Sequence, residues 1–353
     1  MTAQAIPAER LSRRPVGYWL LAVAALVFAM VLLGGATRLT HSGLSIVEWQ
    51  PVSGAVPPLD QAAWQAEFSK YQQFPEYRKL NRGMTLDEFK QIYWVEYAHR
   101  LLGRLIGVVL ALPFLYFWWT GYLDRTLVSR LAAMLLLVGA QGALGWFMVQ
   151  SGLIDDPSVS HYRLTAHLGL AVIVYGYILW TAFGLLAPAA TRHCALGLTQ
   201  ASRFLVALVF LQILAGGLVA GLRAGLIYNS WPLMDGTLFP VGLFDSSPWW
   251  RNPLENIAAV QFDHRMLAYL LTLLATAVCW QMLRDPAATL AKRRAAAILL
   301  AVVFLQVTLG IATLLLVVPV PLAVIHQGGA LAVFTAALWL CHTVRQRDLE
   351  TLA

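Results

Sequence analysis

Apolar positions in this chain gather into eight runs of about 20 residues, separated by polar stretches. Each run is long enough to cross a hydrocarbon core of about 30 Å as a helix. The pattern predicts spans at Val16–Ala36, Tyr97–Trp119, Leu127–Val149, Leu164–Ala187, Phe204–Ile227, Met266–Leu283, Ala295–Val318 and Val320–Cys341. Two long polar stretches, 37–96 and 228–263, lie on one side of these spans. In the first, Pro58 is followed by Trp64, Phe68 and Tyr71 at helical spacing, which predicts a short amphipathic helix lying against the membrane. Thr85 followed by Glu88 predicts a capping box from which a helix runs into the second span.

Composition sharpens the class. Of 353 residues, 59% are apolar and 12% charged, against roughly 45–50% and 25% for a soluble domain. Soluble globular, disordered, collagenous and coiled-coil chains are all excluded. The formal charge of +7 comes from basic residues scattered between spans, so it does not indicate nucleic acid. It fits a positive-inside bias. Arg10, Arg13, Arg14, Arg125, Arg192, Arg203, Arg284, Lys292, Arg293, Arg294, Arg345 and Arg347 fall in the tails and in the 120–128, 188–203 and 284–294 loops. Asp155 and Asp156 fall in the opposite 150–163 loop. Both termini are therefore expected on the cytoplasmic side and both long loops outside. The first span is too long for a secretory signal and is read as a retained helix. Cys194, Cys279 and Cys341 form no pair or CxxC motif, which leaves no disulfide framework or zinc ribbon.

The second half echoes the first. His99-Arg100 opens span two and His264-Arg265 opens span six; Gln141 and Gln306 each follow their histidine by 42 residues. His167 with Gly169 near the start of span four matches His326 with Gly328 in span eight, and Gly34-Gly35 matches Gly216-Gly217. Four spans per repeat is an even number, so the halves share one orientation. The expected fold is all-α: an integral membrane protein of eight helices, as two tandem pseudo-symmetric four-helix bundles, 1–190 and 191–353.

His99, His167, His264 and His326 all sit near the outer ends of helices that start outside, so they share one depth. Ionisable groups at that depth are costly and face the bundle interior, where haem and metal sites are built. A lone histidine there would be interhelical glue; four at matching depth, one pair per repeat, point to two ligand sites. His41, His161, His193 and His342 lack this symmetry and are read as loop or interfacial residues. Zinc wants further ligands that are scarce here, whereas haem iron needs one or two axial ligands and an apolar slot. Gly103, Gly107, Gly169, Gly328 and Gly329 would let a flat macrocycle approach, or would serve helix packing. Arg100 and Arg265 would pair with haem propionates or reach lipid phosphate. The halves differ where Glu96, three residues before His99, is matched by Gln261 before His264. This suggests proton-coupled chemistry in the first half; alternatively, or in addition, Glu96 pairs with Arg100. Because Glu96→Gln changes almost no volume, packing is expected to survive it.

These residues resemble the haem A synthase family. The resemblance rests on Glu96, His99-Arg100, Gly103-Arg104 and Gly107, and on Gly34-Gly35, Arg38 and the Ser42–Ser45 run. It extends to Trp49–Pro51, Pro57-Pro58, Pro75–Tyr77, Asn81–Met84, Trp231–Gly236, His264-Arg265 and His326-Gln327, so it spans nearly the whole chain. It implies oxidation of the C8 methyl of haem O to a formyl group, giving haem A for terminal oxidases through hydroxylated intermediates. It further implies His99 and His167 flanking the substrate iron, with Glu96 beside them as the catalytic group. His264 and His326 would ligate a haem b cofactor, with Arg100 and Arg265 at the haem edges. Some relatives carry a cysteine pair in the first outer loop; this chain has none there. The implied location is a bacterial inner membrane, with the haem sites toward the periplasmic side. Expected partners are haem O, membrane lipid, a haem O synthase and oxidase assembly factors, with a homo-oligomer open and no nucleic acid. The alternatives are a di-haem b-type cytochrome for quinone-linked electron transfer, which would use the same histidines, and a transporter. Against the transporter, the spans lack paired mid-membrane acids and matched Gly/Pro breaks.

Overall fold

A computed structural model describes residues 13–186 and 196–345; Arg10, Arg192, His193, Cys194 and Arg347 lie outside the described residues. The helices are α1 (Arg14–Leu39), α2 (Gln61–Tyr71), α3 (Pro75–Lys79), α4 (Leu86–Trp119), α5 (Arg125–Gln150), α6 (His161–Leu186), α7 (Leu196–Gly221), α8 (Asn252–Glu255), α9 (Ile257–Arg284), α10 (Leu290–Leu315) and α11 (Val320–Val344). Eight of them are long and apolar enough to cross a membrane, and no named strand occurs among the described residues. The protein is an all-helical, multi-pass membrane protein, with all eight expected spans present.

Local chemistry sets the helix ends. The side chains of Asp60, Thr85, Asp124, Asn256 and Thr289 cap α2, α4, α5, α9 and α10, each satisfying a backbone N–H that the first turn leaves free. At Thr85 the full capping box with Glu88 forms. It therefore starts α4 well before Tyr97, the expected beginning of span two. At about 1.5 Å per residue this 34-residue helix runs roughly 50 Å, so its first turns project beyond the hydrocarbon. Span five ends earlier than the expected Ile227: α7 stops at Gly221, Arg223 adopts a left-handed conformation, and a short 3₁₀ turn follows. Inside α4, Pro113 donates no hydrogen bond, which would orphan the carbonyl of Val109 in the membrane. The Trp19 indole of α1 donates to that carbonyl at 2.8 Å.

Helices α1, α4, α5 and α6 form one ring of neighbours, and α7, α9, α10 and α11 form another. The rings meet where α1 packs on α11, α6 on α7, and α6 on α11; a two-fold exchanging α1 with α7 and α6 with α11 generates this pattern. One continuous apolar core draws on all eight long helices, among them Leu20, Leu110, Leu131, Ile178, Leu299 and Leu340. Leu112, Leu136, Leu273 and Phe304 remain exposed, as helix faces bathed in hydrocarbon do.

The outer helix α2 exists, but its apolar face does not lie on the membrane. Trp64, Phe68 and Tyr71 are buried against Phe89, Tyr93 and Tyr97 of the projecting part of α4. Trp64 packs edge to face on Tyr93, with ring centroids 4.9 Å apart, and Phe68 and Tyr71 lie tilted against Phe89. The α4 extension thus supplies a protein surface that outcompetes lipid for this face.

Candidate functional site

His167, His264 and His326 lie about two turns inside the N-terminal ends of α6, α9 and α11, and His99 lies deeper along the longer α4. Every ring is lodged against a glycine of a neighbouring helix. A Cβ built on Gly145 of α5 would fall 2.8 Å from Cε1 of His167, and one on Gly310 of α10 would fall 2.8 Å from Cε1 of His326. Gly216 of α7 stands in the same relation to His264, and Gly34 of α1 to His99, at 3.3 Å. His99 and His167 lie within electrostatic range of each other, as do His264 and His326. The fold thus brings the four predicted ligands together as two pairs, one in each ring of helices. Of the other histidines, His41 sits in the outer loop with a left-handed backbone, at the repeat position matched by Arg223. His161 opens α6. His342 is buried at the far end of α11 between Trp180 and Phe183, not interfacial.

Three of the four histidines share a further partner. Gln141 Nε2 donates to the His167 carbonyl at 2.9 Å and lies 3.1 Å from His167 Nδ1. Gln212 repeats this on His264 at 3.0 and 3.1 Å, and Gln306 Nε2 donates to the His326 carbonyl at 2.9 Å. Sequence reading noted Gln141 and Gln306 as repeat markers but missed Gln212, Gly145 and Gly310. The signal that finds them is a Gln four residues before a Gly, at 141/145, 212/216 and 306/310. The glycines singled out beforehand mostly do other work. Gly169 makes room for Leu214, Gly328 for Leu32, Gly329 for Gln306, and Gly103 for Met30. Gly107 meets nothing within 4 Å.

The two arginines beside the ligands bind the outer loops. Arg100 donates to the carbonyls of Ile46 (2.6 Å) and Glu48 (3.0 Å), and to Glu96 through Nε (3.0 Å) and Nη2 (2.7 Å). Arg104 holds the carbonyls of Gln50 and Pro51 in the same way. Arg265 donates to the carbonyls of Tyr228 (2.7 Å) and Ser230 (2.9 Å), yet its buried Nε has no partner. The expected propionate contact therefore has a spare donor at Arg265, whereas Nε of Arg100 is committed to Glu96.

Glu96 is buried and fully engaged. Its second oxygen accepts from Ser45 Oγ at 2.7 Å and from the Ile46 amide at 2.9 Å. The carboxylate thus locks the Ser42–Ser45 run and Arg100 over the first histidine pair. Gln261 at the matching place also accepts from its arginine, Arg265 Nη2 at 3.4 Å, but differs in donating through Nε2 to the carbonyls of Ala224 (3.0 Å) and Tyr228 (3.4 Å).

A second buried acid sits just outside the membrane. Glu76 of α3 accepts from the Tyr71 hydroxyl at 3.1 Å, and that hydroxyl accepts from Asn81 at 2.7 Å. Burial, reinforced by the nearby charge of Glu96, pushes Glu76 up from 4.5 to about 7. Between those values the folded protein holds a proton that the unfolded chain releases, so stability falls as pH rises from 4.5 toward 7 and stays low above it. Glu76→Gln is expected to flatten this slope and to raise the thermal midpoint above pH 7 in detergent. A wild-type midpoint already flat across pH 5–8 would contradict the assignment.

The donor sets distinguish metals. Among the described residues no three His, Cys, Asp or Glu converge, so each pair falls short of a closed zinc site. A pair of imidazoles in an apolar bundle would suit haem iron, which needs only one or two protein ligands. In the tautomer that frees Nε2 for iron, Nδ1–H needs an acceptor. Gln141 and Gln212 stand beside Nδ1 of His167 and His264 but can accept from it only by turning Oε1 there and giving up the bond to the histidine carbonyl; Nδ1 of His326 has no partner among the described residues.

Comparison with known proteins identifies the family. The chain is 52% identical over 338 residues to a protein of Nitrosospira multiformis named Heme A synthase, covering 95% of each chain. It is 51% identical over 327 residues to the Heme A synthase of Parvibaculum lavamentivorans, covering 93% of each. It is 52% identical over 333 residues to that of Rhodospirillum centenum, covering 94% of this chain and 89% of the relative. A family model described as cytochrome oxidase assembly protein matches residues 17–338. With nearly the whole sequence matched, the chain belongs to the cytochrome oxidase assembly protein family that this model describes.

Proposed function

We propose that this chain converts haem O to haem A as a membrane-embedded oxidoreductase, with its substrate in the N-terminal half (1–190) and a haem b in the C-terminal half (191–353). The observation that carries this reading is the division of four half-buried histidines into two like pairs, His99 with His167 and His264 with His326, each ring set against a helix glycine. The relatives named Heme A synthase at about half identity support the reaction.

His99 and His167 position the substrate iron, and Glu96 is the acid–base group beside them. Oxidising a methyl group removes protons together with electrons, so a carboxylate near the substrate contributes by accepting them. Ser45, Ile46 and Arg100 fix that carboxylate and close the outer loop over it. His264 and His326 hold the haem b, and Arg265 offers its spare Nε to an anionic edge. When bound there, haem b supplies one-electron transfer. Gln261 keeps this half free of a carboxylate at the corresponding place.

The loop charges support a bacterial inner-membrane orientation with both termini cytoplasmic and the haem sites toward the periplasm. A hydrophobic substrate and product favour hand-over within the membrane, so a haem O synthase and oxidase assembly factors are the natural partners. Enrichment of the synthase over unrelated membrane proteins on co-purification is the check. The deciding experiment extracts the pigments of the purified protein. Haem B together with haem O or A is expected; haem B alone, at two per chain, would make the protein a di-haem cytochrome instead.

A further inference from the structure

The Gln-and-Gly device repeats on three helices, each packed on a histidine helix, and fails on the fourth. Gln141 precedes the last residue of α5, Gln150, by nine residues, as Gln212 precedes Gly221 in α7 and Gln306 precedes Leu315 in α10. In α1 the residue nine before Leu39, and four before Gly34, is Met30. Its methyl lies against Gly103, 3.3 Å from where a Cβ would stand, one turn beyond His99 in α4. A thioether is only a weak acceptor and donates nothing. His99 therefore faces neither an amide acceptor for its ring nor an amide donor for its carbonyl.

The ring orientation differs accordingly. At Gly145, Gly216 and Gly310 the nearest histidine atom is Cε1. At Gly34 it is Nε2 of His99, at 3.3 Å, with Cδ2 next at 3.9 Å. Nε2, the nitrogen that ligates iron in the usual tautomer, is thus the His99 atom that meets the helix wall first, while at Gly145 and Gly310 it stands at 3.5 Å, behind Cε1. Gln141 and Gln212 lie 3.1 Å from Nδ1 of their rings. The His326 ring has no such contact, its buried Nδ1 lacking a partner, but Gln306 holds its carbonyl, whereas among the described residues His99 has a glutamine at neither.

We propose that Met30 is a positioning residue that leaves His99 the displaceable one of the four histidines, so that the N-terminal half can admit haem O and release haem A while glutamines hold the other three at their backbone carbonyls. An enzyme whose substrate and product are both haems must exchange them, yet must retain its haem b. Second-shell hydrogen bonds to a ligating histidine typically change metal affinity by 10–100-fold, enough to separate an exchanging site from a permanent one. Met and Gln have similar length and volume, so the difference is one of hydrogen bonding. This inference rests on the substrate and haem b assignments proposed above.

The test follows haem transfer from the detergent-purified full chain to excess apomyoglobin, with the transferred haems identified by extraction. The wild type is expected to lose haem O and A quickly and haem B slowly. Met30→Gln should slow the fast phase by roughly 10-fold and leave the slow phase alone. Gln212→Met should accelerate the slow phase by a similar factor, and Met30→Leu should leave the fast phase within about two-fold of wild type. A fast phase unmoved by Met30→Gln in monodisperse protein, or slowed equally by Met30→Leu, overturns the inference. His264→Ala separates the levels: haem B retained in that variant would overturn the site assignment itself. Its loss there, with an unmoved fast phase in Met30→Gln, would sink only the role of Met30.

Discussion

Glu96→Gln is expected to lower haem A formed per bound haem by roughly 10²–10⁴-fold, the usual contribution of a positioned acid–base group. Counting product per bound haem, in cells that supply haem O, cancels losses of folded protein. Such losses will occur, contrary to the expectation from volume alone. Glu96 accepts from two Arg100 nitrogens on one oxygen and from Ser45 and the Ile46 amide on the other. A glutamine has one acceptor oxygen, so its NH₂ must face either the guanidinium or the loop donors. Breaking a buried, charge-assisted pair of this kind costs about 3 kcal/mol. The reverse change, Gln261→Glu, is no more innocent, because it points a carboxylate at the carbonyls of Ala224 and Tyr228. It should reduce yield while leaving haem O conversion per intact protein within a small factor. Near-normal conversion by Glu96→Gln would restrict Glu96 to anchoring Arg100 and the loop.

Either His264→Ala or His326→Ala is expected to abolish the low-spin b-type absorbance and to lower the unfolding temperature. A haem held by His264 of α9 and His326 of α11 would bind only the folded state and so would stabilise it by mass action. Removing one imidazole also leaves the cradle at Gly216 or Gly310 empty, a cavity in the bundle core. The spectral loss should precede any loss of the N-terminal pigment, since the two pairs lie in different rings of helices. A full six-coordinate b spectrum in either variant would refute the pairing.

What could be read from the sequence follows from where each signal is encoded. Span number is a property of runs of residues, and Thr85 with Glu88 is a local motif, so both were legible. The depth of the four histidines was legible because the chain states it twice. The rest depends on which helix stands opposite. Trp64, Phe68 and Tyr71 have the spacing of a membrane-surface helix, and only the projecting turns of α4 decide that they are buried in protein. Gly169 and Gly328 looked like room for a macrocycle, yet small residues in membrane helices commonly admit a neighbouring side chain, here Leu214 and Leu32. Arg100 looked free to meet a propionate because the carbonyls it binds lie about fifty residues earlier in the chain. Gln212 escaped notice because its histidine is 52 residues away, although its spacing to Gly216 repeats that of Gln141 to Gly145.

The first helix of this protein leans on the last. Gln327 of α11 donates to the Val31 carbonyl of α1 at 2.9 Å, Gly35 clears the same glutamine, and Arg38 reaches the Ala220 carbonyl in α7. These partners are 296 and 182 residues apart. At about 5–20 residues per second on the ribosome, roughly 15–60 s separate the emergence of Val31 from that of Gln327. Throughout that interval the α1 wall of the N-terminal half faces lipid where it will later face α11. Helix insertion can proceed in chain order, but the half that is made first is sealed only when the eighth span arrives.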